Sequence, residues 1–428
     1  MPGVKLKHLK IHQYRNVRPG TELRFDDGIN LVLGQNGSGK TTLLGLISYA
    51  VSSDLAPLAP EAFDLEYELT DGQFSASLHI KNNPGNEDRG AADDFKYSVI
   101  LSEHENLLCR IEGTQSGTTI LMDGTSHATS PASPFRYGFV LHSISAPSIP
   151  LQSTLTSTIR AAETALFDNR IPRFDESLDV FLAMTGRAPV SLGSDTPPPA
   201  QLIVNKIGDT PWRRRCIFAP SALVPLVPLA HASPGGELSL AASPTSEYDG
   251  LKFLIDVGIL IGAPTVGWRP QITRMTSPPD AKWQIFEVEG FSFTFTRHDG
   301  STINHELLSY GQKRLLAFFY YLAATQHVVI ADELVNGLHH RWIAACMEAI
   351  GDRQAFLTSQ NPLLFEYIEF DSIEQVQSRF ITCKSEIVDG AEQLVWQNMP
   401  REDAERFYRG YQADIESIGD ILINRGLW

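Results

Sequence analysis

Residues 34–41 have the residue types and spacing of a phosphate-binding loop, because they read Gly-Gln-Asn-Gly-Ser-Gly-Lys-Thr. Glycines let backbone N–H groups turn toward phosphate oxygens, and the N-terminus of a following helix adds a favourable dipole. Lys40 can reach the β- and γ-phosphates of a nucleotide, and the hydroxyl of Thr41 can ligate Mg²⁺. The residues predicted to contact ATP are Asn36, Gly37, Ser38, Gly39, Lys40, Thr41 and Thr42.

The segments on both sides of this loop are those that a P-loop requires. Residues 29–33 form a short apolar run typical of a buried strand, and residues 42–50 are apolar enough for a helix packed on a sheet. A strand before the loop and a helix after it are the context that distinguishes a P-loop from a chance glycine-rich turn. The sequence therefore predicts a nucleoside triphosphate site.

A pair of acidic residues, Asp332 and Glu333, follows a second apolar run at residues 328–331. Charged groups at the end of a buried strand are costly to desolvate unless they have a partner. Beside a P-loop, Asp332 can hold Mg²⁺ and Glu333 can act as the general base toward the attacking water. We therefore predict Thr41 and Asp332 as metal ligands and Glu333 as a catalytic residue.

Three further motifs occur near this acidic pair. They are Ser309-Tyr310-Gly311-Gln312 ahead of an apolar helix, Asn336-Gly337-Leu338-His339 after the acidic pair, and Thr358-Ser359-Gln360-Asn361-Pro362 after a strand at 355–357. With the P-loop and the acidic pair, they resemble the head of ABC-type ATPases. The resemblance is closer to the RecF, SMC and OLD-like branch than to transporter subunits, and it covers residues 4–50 and 285–370.

The resemblance implies a site shared between two copies of the chain. Ser309, Gly311 and Gln312 would contact the nucleotide bound by the opposite protomer, so ATP would drive a homodimer, with a higher oligomer left open. Gln360 stands where this family usually has a switch histidine. A glutamine amide can hydrogen-bond the γ-phosphate but cannot become cationic, so slow or partner-stimulated hydrolysis is expected. His142 and Gln152 are both candidates for the Q-loop residue.

The predicted fold class is α/β, with a P-loop core sheet, an antiparallel β flank and an inserted α-helical lobe. Alternating residues at 4–12, 63–82 and 95–123 predict strands, and helical spacing appears at 151–166 and 174–184. The loops predicted within the lobe are 191–199 and 219–246, both rich in proline. The expected divisions are residues 1–144 and 285–428 for the two halves of the core, and 145–284 for a mainly helical insertion.

Composition favours a soluble cytoplasmic protein with no membrane partner. The net charge is −15, the four cysteines are scattered, and no signal peptide or membrane-spanning run is apparent. The basic residues within 1–24 are either a solvated strand face or a contact with DNA or nucleotide. The run Trp212-Arg213-Arg214-Arg215 is a weaker indication of nucleic acid, because arginines on a surface loop usually only solvate it.

These observations predict an ATPase that dimerises on ATP and acts on DNA or regulates a separate effector, such as a nuclease or toxin, in DNA repair or antiviral defence. OLD-like relatives often carry a fused nuclease, but 66 residues follow Pro362, which are too few for that domain. Two alternatives remain open: the ATP-binding subunit of a membrane transporter, and a nucleotide-sensing scaffold with little turnover.

Overall fold

The computed structural model describes the chain in ranges separated by gaps. These are residues 3–52, 55–84, 95–114, 117–122, 124–129, 158–159, 161–162, 165–166, 173–174, 200–207, 210–217, 240–242, 252–274, 283–324, 328–359, 361–413 and 418–424. The chain divides into two compact units. The first contains residues 1–171, 327–334 and 352–428, and the second contains 172–326 and 335–351.

The elements of the described residues follow in chain order. The strands are β1 (Lys5–Tyr14), β2 (Thr21–Arg24), β3 (Ile29–Leu33), β4 (Phe63–Thr70), β5 (Phe74–Asn82), β6 (Phe95–Glu103), β7 (Asn106–Thr114), β8 (Thr118–Met122), β9 (Thr125–Thr129), β10 (Ala200–Ile207), β11 (Thr210–Ile217), β12 (Leu240–Ala242), β13 (Thr265–Arg274), β14 (Trp283–Thr296), β15 (Thr302–Asn304), β16 (Val328–Ala331), β17 (Gln354–Leu357), β18 (Phe380–Val388) and β19 (Ala391–Asn398). The helices are α1 (Lys40–Ser52), α2 (Lys252–Leu260), α3 (Tyr310–Ala324), α4 (His340–Ile350), α5 (Ile373–Arg379), α6 (Arg401–Ala413) and α7 (Ile418–Asn424), with short 3₁₀ turns at Ala56–Leu58, His305–Leu307 and Pro362–Tyr367.

The core of the first unit is a five-stranded sheet in the order β16-β17-β3-β18-β19. The first four of these strands run parallel, and β19 pairs antiparallel with β18. Strands β16 and β17 are buried along their whole length, as expected for parallel strands covered on both faces. The loop at 34–39 therefore leaves a central strand, between two neighbours that come from the end of the chain.

The flank of the first unit is an eight-stranded antiparallel sheet in the order β2-β1-β4-β5-β6-β7-β8-β9. Strand β4 alternates buried and half-buried residues, so one face packs on the core and the other meets solvent. The side-chain amide of Gln354 joins the two sheets, because it accepts from Leu6 N at 2.7 Å and donates to Leu6 O at 2.8 Å. This buried amide takes the place of a backbone pairing partner.

The second unit contains a sheet in the order β11-β10-β14-β13-β12, with β15 paired to β14. Helices α2 and α3 pack through an edge-to-face contact of Phe253 with Tyr320, whose ring centroids lie 5.6 Å apart. Helix α4 reaches α2 through Trp342, whose Nε1 donates to Leu260 O at 3.4 Å. Helix α3, which begins within the Ser309-Tyr310-Gly311-Gln312 motif, thus belongs to a compact unit that extends past residue 284, the predicted end of the insertion.

The α/β class, the core sheet and the antiparallel flank predicted from sequence are confirmed. The described residues of the predicted insertion at 145–284 contain strands β10 to β13 and the start of β14, together with helix α2 and helical residues at 158–159, 161–162, 165–166 and 174. Apolar runs such as 202–204 are too short for periodicity to separate strand from helix. The arginine run lies on strand β11 rather than on a loop, and residues 240–242 of the predicted loop form β12.

Several predictions fall outside the described residues: the loop 191–199, the helix 174–184 beyond its first residue, and most of the helix 151–166. The cysteines whose side chains are described, namely Cys109, Cys346 and Cys383, are buried and unbridged. No helix in the described ranges has both the length and the apolar character to cross a membrane.

Candidate ATP site at the end of the parallel strands

The phosphate-binding loop leaves β3 at Leu33 and enters α1 at Lys40. Gly34 has a φ of 148°, and a Cβ there would lie 2.2 Å from the carbonyl oxygen of Cys383. Gly39 has a φ of 84°, and a Cβ there would lie 2.7 Å from a methyl carbon of Leu394. Strands β18 and β19 press against the loop at both glycines, so neither position accepts a side chain without a shift.

The ammonium group of Lys40 is held over the loop. Its Nζ donates to the carbonyl oxygens of Gly34 at 2.8 Å and Gln35 at 3.1 Å. Asn36 and Gly37 are exposed on the same loop, and Thr42 is half-buried in the first turn of α1. The positive charge and the exposed loop backbone lie at the N-terminus of a helix, where phosphate oxygens are favoured.

Thr41 and Asp332 meet at the end of the parallel strands. The Thr41 hydroxyl donates to Asp332 Oδ2 at 2.6 Å, and the hydroxyl of Thr358 donates to Asp332 Oδ1. The same Thr358 oxygen accepts the backbone N–H of Glu333 at 2.8 Å. One buried hydroxyl therefore fixes both the carboxylate of Asp332 and the backbone of the residue after it.

Glu333 has a left-handed backbone, with a φ of 50°. For a residue with a Cβ, this conformation costs about 1–3 kcal/mol and persists only where the surroundings enforce it. The bond from Glu333 N to Thr358 supplies one such constraint. The turn places a half-buried carboxylate directly after β16, at the same sheet edge as the phosphate-binding loop.

The oxygen donors at this edge fit Mg²⁺. Thr41 supplies a hydroxyl oxygen and Asp332 a carboxylate oxygen, and these two atoms lie 2.6 Å apart. Hard oxygen ligands from one or two side chains, completed by phosphate oxygens and water, are what Mg²⁺ prefers in nucleotide sites.

Two features beneath the loop were not predicted from the sequence. Trp396 Nε1 donates to the carbonyl oxygen of Ser38 at 3.3 Å, and a cavity of about 260 Å³ lies between the loop and residues 382–386. Burial raises the pKa of the Cys383 thiol to about 12, against a smaller lowering by Lys40. No sequence signal links these residues to the loop, because only the pairing of β3 with β18 brings them together.

Thr358 is a further residue of the site to which no role was assigned from the sequence. It follows β17, the strand next to β16, and adjacent parallel strands end at the same edge of a sheet. That position is a signal that could have identified it. Gln360, assigned the switch role, lies outside the described residues, as do His142 and Gln152.

In the second unit, Ser309 and Gln312 form a capping box at the start of α3. Ser309 N donates to Gln312 Oε1 at 2.9 Å, and Gln312 N donates to Ser309 Oγ at 3.3 Å. The pattern Ser-x-x-Gln satisfies two helix-terminal N–H groups reciprocally. The capping bond uses the serine oxygen as an acceptor, so the hydroxyl proton can still be donated to a phosphate.

Gly311 is buried against the turn that contains Gly337. A Cβ at Gly311 would lie 2.4 Å from Gly337 O, and Gly337 itself has a φ of 76°. Packing alone therefore requires a glycine at position 311, in addition to any contact with nucleotide. His339 precedes α4 in an extended conformation, and its ring lies 4.0 Å from that of His340.

Two family profiles match the sequence. One, described as "AAA domain", matches residues 8–120. The other, described as "AAA domain, putative AbiEii toxin, Type IV TA system", matches residues 135–366, more than half of the chain. The chain belongs to this AAA-domain family. This membership agrees with the ATPase family predicted from the sequence.

This AAA-domain ATPase is similar to the DNA replication and repair protein RecF of Chlorobium luteolum, at 34% identity over 111 residues. That match spans 24% of this chain and 30% of the RecF chain. Among solved structures, the SMC head domain from Thermotoga maritima aligns at 11% identity and a TM-score of 0.35, covering 92% of this chain and 99% of that one. An SMC head bound to the C-terminal winged-helix domain of ScpA aligns at 12% identity and a TM-score of 0.39, covering 93% and 98%.

Proposed function

We propose that this AAA-domain ATPase binds MgATP on the loop 34–41 and hydrolyses it with Glu333 as the general base. Water attacks the γ-phosphorus, the bond to the β–γ bridging oxygen breaks, and ADP leaves with that oxygen. The proton of the attacking water passes to the carboxylate of Glu333. Lys40 and the loop N–H groups bind the phosphate oxygens and hold the γ-phosphate in line with the water.

The observation that carries this proposal is the hydrogen bond from Thr41 to Asp332. It joins the first turn of α1 to the end of β16, so the phosphate-binding and acidic motifs act in one place. Asp332 and Thr41 would hold Mg²⁺, which when bound neutralises charge on the β- and γ-phosphates. Thr358 positions both acidic residues, through the Asp332 carboxylate and the Glu333 backbone.

The second part of the proposal is that ATP joins two copies of the chain. Ser309 is exposed at the start of α3, where its hydroxyl and the helix N-terminus suit an anion. Tyr310 beside it is 67% exposed, and Leu307 is 76% exposed. Exposed apolar residues around an anion-binding helix start support an interface that closes on a nucleotide held by a second copy.

The proposed partner is DNA, supported by the RecF match, although not through residues 1–24. All six lysines and arginines of that stretch lie within 4.0 Å of a carboxylate oxygen, with Lys5 and Lys7 sharing Asp27, so most of its positive charge is neutralised within the unit. They are Lys5, Lys7, Lys10, Arg15, Arg18 and Arg24. The first of the two open interpretations of this stretch, a solvated strand face, is therefore favoured, and DNA contacts belong elsewhere on the chain.

A second candidate function is control of a separate effector protein. It is supported by the family description, which names a toxin and a toxin–antitoxin system. In that case ATP binding would set whether a nuclease or toxin subunit is engaged, and a switch without histidine would suit slow turnover.

One experiment tests these proposals together. Phosphate release and light scattering are measured for the purified chain with ATP and Mg²⁺, alone and with duplex DNA. ATP-dependent doubling of mass with DNA-stimulated turnover supports the DNA function. Doubling of mass without any DNA effect favours the effector function. A chain that binds ATP but stays monomeric and inactive contradicts both.

A further inference from the structure

Four metal-ligating side chains converge on the exposed face of the flank sheet. His12 is on β1, Asp64 and Glu66 are on β4, and His79 is on β5. Glu66 pairs directly with His79 across the β4–β5 register. The β1–β4 register shifts between Ile11 and Gln13, so the residue between them, His12, lies at a bulge. Bulges re-aim side chains, and this one brings a third strand to the cluster.

The distances are those of a compact donor set. Nitrogen and oxygen atoms of His12, Asp64 and His79 all lie within 4.8 Å of one another. His79 Nε2 is 2.8 Å from Asp64 Oδ1, and His12 Nε2 is 3.0 Å from Glu66 Oε1. The other ring nitrogen of His79, Nδ1, is 4.0 Å from the same Glu66 oxygen, so Glu66 lies beside the three-residue cluster. The ligand atoms of a tetrahedral zinc ion lie about 3.4 Å apart, since its bonds are about 2.0–2.2 Å long.

We propose that His12, Asp64 and His79, with Glu66 as a neighbouring carboxylate, bind one divalent transition-metal ion of the Zn²⁺ class. Two imidazoles with carboxylate oxygens are a donor set that such ions prefer, whereas Mg²⁺ and Ca²⁺ prefer oxygen alone. The site is distinct from the Mg²⁺ ligands Thr41 and Asp332, and it does not depend on ATP hydrolysis.

The state of His12 is a further observation on the same cluster. Its Nε2 atom is shielded from solvent, and no group in the described ranges gives it a well-directed hydrogen bond. The nearby Glu66 oxygen has the distance of a hydrogen bond but not its geometry. A buried nitrogen with no directed partner carries a desolvation cost that a bound metal ion would offset.

Two lysines compete with the ion for the carboxylates. Lys81 Nζ lies 2.9 Å from Asp64 Oδ2, and Lys10 Nζ lies 4.0 Å from Glu66 Oε2. Burial opposes ionisation of Asp64, but hydrogen bonds from Lys81 and His79 keep its pKa below the usual value. The Lys81 side chain is 51% exposed, so its ammonium group can turn to solvent when a metal ion takes its place.

The ion would fasten β1 to β4 and β5 at the bulge, where the backbone ladder is interrupted. Because the ligands come from three neighbouring strands, the ion would stabilise the flank sheet.

The test uses the untagged full chain near neutral pH, without ATP or Mg²⁺. Zn²⁺ is measured by equilibrium dialysis with metal analysis, and Co²⁺ by its visible absorption. We expect one Zn²⁺ per chain and a Co²⁺ spectrum displaced by Zn²⁺. His79→Gln and Asp64→Asn should each weaken Zn²⁺ binding by at least about tenfold, the lower end for even an indirect metal partner. The matched control is His298→Gln, an exposed histidine outside the cluster.

The Zn²⁺ affinity of Lys81→Ala distinguishes a metal site from a purely structural cluster of ion pairs. Removing the competing ammonium should tighten Zn²⁺ binding, while far-UV circular dichroism stays unchanged. The proposal is overturned if the wild-type chain retains no Zn²⁺, if His79→Gln and Asp64→Asn bind it as tightly as His298→Gln does, or if Lys81→Ala weakens binding.

Discussion

The hydroxyl of Thr41 donates to Asp332 Oδ2 at 2.6 Å, across 291 positions of the chain. The bond connects the second residue of α1, just after the glycine loop, with the residue that directly follows the buried parallel strand β16. Because Thr358 bonds the other oxygen of the same carboxylate, Asp332 is held from two strand ends. The proposed chemistry depends on this arrangement, and the following predictions test its parts.

Lys40→Ala should weaken ATP binding by about 1.5–3 kcal/mol for each charged hydrogen bond to phosphate that it removes. The ammonium group lies over the loop carbonyls, at the centre of the predicted phosphate site. Titration with a fluorescent ATP analogue measures the change. The control is Lys252→Ala, an exposed lysine on α2. Equal affinity in the two variants would show that the loop is not the triphosphate site.

Glu333→Gln should bind ATP with wild-type affinity and hydrolyse it about 10²–10⁴-fold more slowly, because an amide cannot accept the proton of the attacking water. Single-turnover phosphate release measures the chemical step directly. Glu348→Gln, an exposed glutamate on α4, serves as the control. If the Glu333 variant turns over at the wild-type rate, the general base is another residue.

Thr358→Val should lower kcat while leaving ATP affinity nearly unchanged. The hydroxyl, in a side chain only 1% exposed, links Asp332 to the backbone of Glu333. Its loss leaves buried groups without that partner, which costs about 1–3 kcal/mol of stability.

Thr118→Val is the matched control for this change, because Thr118 is also buried and its hydroxyl bonds Tyr97 in the flank. Both variants should be destabilised in urea, but only Thr358→Val should lose turnover. Equal turnover in the two would make the Thr358 hydroxyl purely structural.

Ser309→Asp should bind ATP but fail to associate on it. Aspartate caps a helix as well as serine does, so α3 is preserved, whereas its negative charge repels the γ-phosphate of a second copy. Ser309→Asn is the matched control, since asparagine also caps and carries no charge. Light scattering with ATP should give a dimer for Ser309→Asn and a monomer for Ser309→Asp.

Mixing the Ser309→Asp and Lys40→Ala proteins sharpens this test. The Lys40 variant would offer its intact Ser309 to the nucleotide held by the Ser309 variant, so the mixture restores at most one site. ATP-dependent dimers of pure Ser309→Asp protein, with wild-type turnover, would contradict the shared-site proposal.

Glu61→Gln should lower the urea midpoint of unfolding near neutral pH by an amount corresponding to at most about 1 kcal/mol, because the pair is partly exposed. Arg15 donates to both Glu61 oxygens, at 2.7 and 2.6 Å, and holds the Glu61 pKa below its usual value. A lowered carboxyl pKa contributes stability above the usual pKa and loses it as pH falls through the lowered one.

The difference between Glu61→Gln and the wild type should therefore shrink below about pH 4. Glu366→Gln, an exposed glutamate outside this pair, should change the midpoint little at either pH. A difference between Glu61→Gln and the wild type that persists unchanged in acid would assign the effect to packing rather than to charge.

The parts of the site that are local in sequence could be predicted from it. The apolar run before the loop became β3 with the predicted bounds, and residues 328–331 became β16. Glycine spacing and strand length are properties of a few consecutive residues. The pattern Ser-x-x-Gln at Ser309 and Gln312 also predicts a capping box, which the structure contains. This local role is missed when the motif is interpreted only as a nucleotide contact.

The parts that depend on which strands become neighbours could not be predicted. Trp396 reaches Ser38, and Cys383 lies against Gly34, only because β18 pairs with β3. Residues 200–284 contain β10 to β13, but the sequence predicts mainly helix and loop there. Short apolar runs have no decisive periodicity, so they do not separate strand from helix. The left-handed backbone of Glu333 is likewise set by its partner Thr358 rather than by residue type.

The placement of β3 between β17 and β18 has a consequence for synthesis of the chain. After Leu33, about 320 residues must be added before Gln354, the start of its first sheet neighbour, emerges. At about 5–20 residues per second, the nascent strand waits tens of seconds with its apolar residues unpaired. Strands β4 to β9 of the flank, by contrast, pair with sequence neighbours and can fold early. The flank can therefore fold before the core sheet, whereas the nucleotide site can form only after the neighbours of β3, at 354–357 and 380–388, have been synthesised.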